Sequence, residues 1–234
     1  MRYARDLIPQ LDELPSRLPE NFPEIVDSGF WEFYAQASPF SMVHVTGFFN
    51  LYQSLTYIAA NQIPGDIVEC GCFLGGAAIF AGLMRKAFGM YDKRIILYDT
   101  FRGPPPGIED VNLGQREMTG PHFEDYLFAV KENIVQVLGT LDGYVFIQGY
   151  VEETLPAQRL TPISLLRLDT DYYYSTKAEL VHLYPHLVAG GVLIVDDYGI
   201  YEGAREATDE YFSAVSPKPL LNRIDIGVWA GIKP

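Results

Sequence analysis

From Asp66 onward the chain alternates short apolar runs with longer stretches at helical spacing, and this alternation limits the fold more than any other feature. The runs are DIVEC, RIILYD, YVFIQG, ISLLRLD and GGVLIVDD; around them lie GGAAIFAGLMRKAF, FEDYLFAVKENIVQVL, STKAELVHLYPHLV and EGAREATDEYFSAV. Strands with no polar alternation must be covered on both faces, and a helix between consecutive strands makes each connection a parallel crossover. The tail, PLLNRIDIGVWAGIK, supplies two more strands around a short polar turn, which predicts an antiparallel edge pair. The expected fold is therefore α/β: seven strands, mostly parallel, with an antiparallel C-terminal edge pair and helices on both faces.

Residues 1 to 62 read differently. Pro9, Pro15, Pro19 and Pro23 break the first part into an arm, and residues 30 to 62 carry apolar residues at helical spacing around Pro39. We divide the chain into 1–62, an arm with a helical entrance, and 63–234, the sheet domain. Within the latter, TFRGPPPGIEDVNLGQREMTGPH, spanning 100–122, is too long and too rich in Pro and Gly for a simple connection and reads as a lid.

Charge and cysteine usage narrow the partners. A formal net charge of −13 repels phosphate backbones and anionic lipid, so nucleic acid and membrane surfaces are excluded as expected partners, and a neutral or cationic small ligand is favoured. Cys70 and Cys72 flank one glycine, where a disulfide would be badly strained; two small buried thiols imply a reducing, cytoplasmic setting. The N-terminal stretch lacks the apolar core of a signal peptide, and no run is long enough to span a bilayer. A homo-oligomer is left open.

Two clusters carry chemistry. In GDIVECGCFLGGAA, Gly71, Gly75 and Gly76 stand between a strand and a helix, at the carboxyl end of the sheet where ligands bind. The spacing departs from the dinucleotide fingerprint, and Glu69 suits an amino group or the surroundings of a sulfonium better than a pyrophosphate. Asp99, at the end of the next strand, is placed to accept hydrogen bonds from ribose hydroxyls; alternatively the glycines serve strand–helix packing and Asp99 caps a turn. In the second cluster, Asp169 follows ISLLRL and Asp196 follows GVLIV, one helical crossover apart, so the carboxylates can converge. Oxygen-only ligands favour a hard cation such as Mg²⁺. Asp196 and Asp197 can both join only if the chain leaves the strand there, because consecutive strand residues face opposite ways. The competing reading is that Asp171 or Ser175 caps the next helix and Asp169 serves backbone amides. His182 and His186, four apart on a predicted helix, have a packing or surface role. His44 and His122 stand where an entrance and a lid reach an acceptor, and Tyr172, Tyr173 and Tyr174 read as pocket wall.

Six ordered blocks, GDIVECGCFLGGAA, ILYDTFRGPP, FIQGYVEETLP, LLRLDTDYYYST, LYPHLVAGGVLIVDDYG and GAREATDEYF, resemble the macrocin O-methyltransferase (TylF-like) family. The resemblance implies a Rossmann-like class I methyltransferase sheet, S-adenosylmethionine and Mg²⁺ as cofactors, and methyl transfer to a hydroxyl of a sugar or phenolic group in a natural product. It places Glu69, Gly71 and Gly75 at the methionine end of the cofactor and Asp99, Thr100 and Phe101 at its ribose. Gln148, Gly149 and Tyr150 fall around the adenine, and Met42, in SMVHVTG, falls over the cofactor. Asp169, Asp196 and Asp197 match metal-binding aspartates, with Asp169 also touching the cofactor, and Asp171 matches the general base. The three tyrosines depart from the family pattern on the acceptor side. The sequence also admits two other classes: a nucleotide-dependent oxidoreductase and a cofactor-binding protein without turnover.

Overall fold

The computed structural model describes residues 19–103 and 124–234, with the backbone alone at 110–111 and 117–118. The arm before Pro19, most of the expected lid and His122 lie outside the described residues. Helices α1 (Ser28–Ala37) and α2 (Val45–Ala60) precede the sheet, separated by a short 3-10 turn at Ser38–Phe40 that contains Pro39. The sheet region then runs β1 (Asp66–Cys70), α3 (Gly76–Ala87), β2 (Ile95–Asp99), β3 (Asp110–Val111), β4 (Glu117–Met118), α4 (Leu127–Leu138) and β5 (Tyr144–Gln148). It continues with α5 (Val151–Thr154), β6 (Ile163–Leu168), α6 (Tyr173–Leu183), β7 (Leu187–Val195), α7 (Glu202–Ser213), β8 (Asn222–Arg223) and β9 (Trp229–Ile232).

The expected architecture is observed. Seven strands form one sheet in the order β5-β2-β1-β6-β7-β9-β8. Pairings among β5, β2, β1, β6 and β7 are parallel, and β9 is antiparallel to both β7 and β8. Strands β1, β2 and β6 are buried at every residue, which is why they carry no polar alternation.

Alternation across the sheet sorts the core into two layers. Ile67, Leu97, Leu165 and Ile194 face α1 to α4, where Phe30, Phe48, Ile79, Phe80 and Ile134 are fully buried. Val68, Ile96, Leu166 and Leu193 face α5 to α7, against Leu155, Leu180, Leu183 and Phe212. Helices α1 and α2 thus bury their apolar stripes in the same layer as α3, and Phe30 meets Tyr34, Phe49, Tyr52 and Phe80 ring to ring. One boundary moved. The helix expected through Val188 ends at Leu183, and after a 3-10 turn holding Pro185 and His186, β7 begins at Leu187. Proline cannot continue a helix, and this separates His182 from His186. Among the described residues no helix is long and apolar enough to cross a membrane.

Candidate active site

The site forms where three turns meet at the carboxyl ends of β1, β2 and β6. In the first, Gly71 and Gly75 have φ of +78° and +89°, the left-handed region that glycine enters freely. Gly71 meets the third turn directly: a Cβ there would stand 1.8 Å from the carbonyl oxygen of Asp169. The glycine turn and the aspartate turn are therefore packed backbone to backbone, with no room for a side chain between them. Ser41 and Phe40 press on Gly76, at 2.4 Å and 2.9 Å from where a Cβ would stand, so the segment carrying Met42, 46% exposed, passes beside the start of α3.

Asp99 ties the first two turns together. One carboxylate oxygen accepts the Cys72 N–H at 2.7 Å and the other accepts the Phe101 N–H at 2.7 Å. Burial pushes its carboxyl up, against the lowering by those amides. Thr100 closes the turn through its hydroxyl, which donates to the Gly103 carbonyl, while the Phe101 ring is fully buried against Tyr126 and Phe146. The Phe101 side chain therefore belongs to the core, since apolar burial outweighs exposure to a ligand. Gln148 is exposed at the end of β5 and donates to Asp125; Gly149, at φ +141°, and Tyr150 lead into α5.

Beneath the glycine turn lies a residue that sequence reasoning passed over. Arg167 is 4% exposed and reaches three carboxylates: Glu69 at 2.8 Å, Asp169 at 2.7 Å and Asp196 at 2.7 Å. The register explains it. Arg167 stands opposite Glu69 on β1 and Ile194 on β7, so Glu69, Arg167 and the residue two past Ile194, Asp196, project on one face. A charged residue within the apolar run LLRLD was the available signal, because a buried guanidinium requires carboxylate partners.

Asp169, Asp171 and Asp197 offer carboxylate oxygens that all lie within 4.8 Å of one another. This differs from the expected set of Asp169, Asp196 and Asp197. Although β7 ends at Val195, Asp196 keeps the face of Ile194 and pairs with Arg167, while the Asp197 carboxylate joins those of Asp169 and Asp171. Asp171 takes the third place, with its backbone N–H donating to Asp197 Oδ2 at 3.0 Å and its φ at +68°. Asp tolerates the left-handed region better than most side chains, but not freely. The capping alternative is not realised: the N-cap of α6 is Tyr172, with no side-chain cap.

The charge balance at this point is unfavourable to bare carboxylates. Two ionised groups 4.8 Å apart repel by about 3 kcal/mol at an effective dielectric of 20. Burial, then neighbouring carboxylates, push Asp197 well up; Asp169 rises by burial, opposed by Arg167 and reinforced by Asp196 and Asp197. A hard cation relieves that conflict, and an all-oxygen donor set suits one. Glu69 is pushed up to about 7 by burial, with Arg167 opposing and Asp196 and Asp99 adding. Its folded value lies above the ordinary 4.5, so the native state holds the proton more tightly. That stabilisation is complete below the unfolded value and is lost as pH rises through about 7. Scanning calorimetry in chelator is expected to show a melting temperature that falls between about pH 5 and pH 7.5; a rise over that window would contradict the assignment.

The aromatic residues separate. Tyr172 is buried, Tyr173 joins Lys177 and Glu210 in a bridge between α6 and α7, and Tyr174 is exposed. They do not form one wall, because successive helical residues fan around the axis. Tyr201 was not anticipated: its N–H donates to the Asp197 carbonyl, and its phenol is raised by burial and by the negative charge of Asp171, Asp197 and Asp169. His44 caps α2, accepting from the Thr46 N–H, with its ring edge against Phe22.

A seven-stranded sheet in this order, with a glycine turn after β1 and acidic turns after β2 and β6, defines the class I methyltransferase architecture. The family model described as macrocin-O-methyltransferase (TylF) matches residues 35–230, and the chain belongs to that family of O-methyltransferases. It is 34% identical over 180 residues to demethyldecarbamoylnovobiocin O-methyltransferase of Streptomyces niveus, covering 75% of this chain and 68% of that protein. It is 32% identical over 189 residues to 8-demethyl-8-(2,3-dimethoxy-alpha-L-rhamnosyl)-tetracenomycin-C 4'-O-methyltransferase of Streptomyces olivaceus, covering 79% and 72%. Among solved structures, the O-methyltransferase NovP superposes with a TM-score of 0.72 at 27% identity, covering 86% of this chain and 87% of that one.

Proposed function

We propose that the chain transfers the methyl group of S-adenosylmethionine to a hydroxyl oxygen on a sugar or phenolic group of a natural product, with a divalent cation, Mg²⁺, held by Asp169 and Asp197. The observation that carries this reading is the direct packing of the glycine turn on the aspartate turn, with Asp169, Asp171 and Asp197 within 4.8 Å of one another beside it. Relatives whose names specify methyl transfer to novobiocin and rhamnosyl-tetracenomycin precursors support the acceptor class.

S-adenosylmethionine brings an electrophilic methyl group, and a divalent cation brings Lewis acidity that makes a hydroxyl proton easier to remove. The chain's own residues do the rest. Gly71, lacking a side chain, lets the glycine turn sit directly on the Asp169 backbone, and Glu69, anchored by Arg167, faces the ammonium side of the cofactor. Asp99 holds the glycine turn and the β2 turn in fixed relation. Asp171 takes the hydroxyl proton as the methyl group is transferred, and Asp196, held on Arg167 through Oδ1, would fix the edge of the site where the cation would be held. Alignment of the two reactants accounts for roughly 7 kcal/mol or more of barrier reduction in comparable cases.

The test is a panel of hydroxylated glycosides and phenols incubated with the protein and S-adenosylmethionine, read by a mass gain of one methyl group. Transfer that stops in chelator and returns with Mg²⁺ is the expected result. Full transfer in chelator would remove the cation from the reaction, and binding of NAD in place of S-adenosylmethionine by calorimetry would remove S-adenosylmethionine as the cofactor.

A further inference from the structure

On the face of the sheet opposite Arg167, α6 carries a glutamate that the reaction as described does not use. Glu179 is 0% exposed and, among the described residues, makes one hydrogen bond from a nitrogen or oxygen donor: the Thr170 hydroxyl donates to Oε1 at 2.9 Å. Among the described residues, Oε2 has no such partner and its neighbour is the Cys70 thiol. Burying a carboxyl with one oxygen unpaired in this way is costly relative to an apolar side chain. Leucine at this helical position would stabilise the fold more.

Thr170 is the residue between Asp169 and Asp171. Its Cγ2 lies 3.3 Å from where a Cβ on Gly71 would stand, so it also packs against the glycine turn. The turn it occupies holds Asp171 at φ +68°. A non-glycine residue in that region costs about 1 to 3 kcal/mol and persists only where its surroundings over-determine it. Contacts that supply that restraint include the Asp171 N–H on Asp197, the Tyr172 N–H on the Thr170 carbonyl at 2.8 Å, and Thr170 on Glu179. The last ties the Thr170 side chain to the second turn of α6, while the Ser175 hydroxyl of the same helix donates to the Thr170 carbonyl at 3.4 Å.

We propose that Glu179 is a positioning residue for methyl transfer, which through Thr170 sets the turn that presents Asp169 and Asp171 beside the glycine turn. This rests on the reading of the aspartate cluster as the reaction site. Glu179→Leu removes the acceptor, Thr170→Val removes the donor, and Glu179→Gln keeps an oxygen that can accept the same bond.

The expected result is that Glu179→Leu and Thr170→Val each fall about tenfold in kcat and in Mg²⁺ affinity by calorimetry. The S-adenosylmethionine Kd is expected to hold, with melting temperatures at or above the parent's for Glu179→Leu. Glu179→Gln is expected to stay within about twofold, and the double variant to be no worse than either single, the mark of one shared contact. Wild-type kcat and Mg²⁺ affinity in both single variants would overturn the proposal. So would Glu179→Gln failing as badly as Glu179→Leu, or additive losses in the double variant. Because Mg²⁺ affinity needs no acceptor, parent protein that binds Mg²⁺ without turnover still tests Glu179. Parent protein that binds no Mg²⁺ overturns both readings.

Discussion

Replacing Arg167 by leucine is expected to destabilise the protein by about 3 to 5 kcal/mol, read as a shift of the urea midpoint. The guanidinium is the shared counterion of Glu69, Asp169 and Asp196, each within 2.8 Å. Removing it takes the cationic partner from Glu69 and Asp169, where burial already disfavours the charged form, and from Asp196. Lysine is expected to recover only part of the loss, since a point charge on a flexible stem cannot reproduce a planar fork that spans two strands. The same variant is expected to weaken S-adenosylmethionine binding, because Glu69 loses its anchor. An Arg167→Leu protein as stable as the parent would show that the network contributes nothing net.

The second large effect concerns Asp171 and Asp197. Asp171→Asn is expected to lower kcat by about 10²- to 10⁴-fold while Mg²⁺ and S-adenosylmethionine still bind, since the amide keeps the shape of the turn and loses only the ability to take a proton. Asp197→Ala is expected to abolish transfer and Mg²⁺ binding together, and to loosen the turn, because Asp197 Oδ2 also receives the Asp171 N–H. Isothermal titration with Mg²⁺ beside single-turnover kinetics separates the two. An Asp171→Asn enzyme at the parental rate would end its role as base; one that has lost Mg²⁺ would make it a ligand. Asp196→Asn gives the internal comparison: the structure holds this carboxylate on Arg167, so its loss is expected to act through Arg167 and stability before it acts on the cation.

Much of the fold was legible because burial leaves a direct mark on composition. Strands covered on both faces have no polar alternation, and β1, β2 and β6 show this throughout. The β7 boundary was harder to read. LVA at 187–189 continues a helical apolar pattern, and only the Pro185 break and the pairing of Leu187 with Ile163 make it strand. In the site, Glu69, Gly71 and the aspartates stood out by residue type. Arg167 was marked only by its place inside the apolar run LLRLD, and Glu179 and Tyr201 carried no local mark, since burial of a polar residue on a helix or loop shows only once its partners are known. Tyr172 to Tyr174 misled in the opposite direction, because adjacency in sequence becomes three directions on a helix.

By itself the sequence determined the order of strands and helices, the positions of the turns at the carboxyl edge and the family to which the chain belongs. These depend on local periodicity and on motif order. Which aspartates meet was decided by tertiary structure alone. Register places Arg167 opposite Glu69 and captures Asp196 on one face, while Asp197 and the left-handed Asp171 converge with Asp169 beside the glycine turn. The physical reason is that side-chain direction alternates with every residue along a strand, so neighbours in sequence such as Asp196 and Asp197 serve different charge networks, and only packing says which.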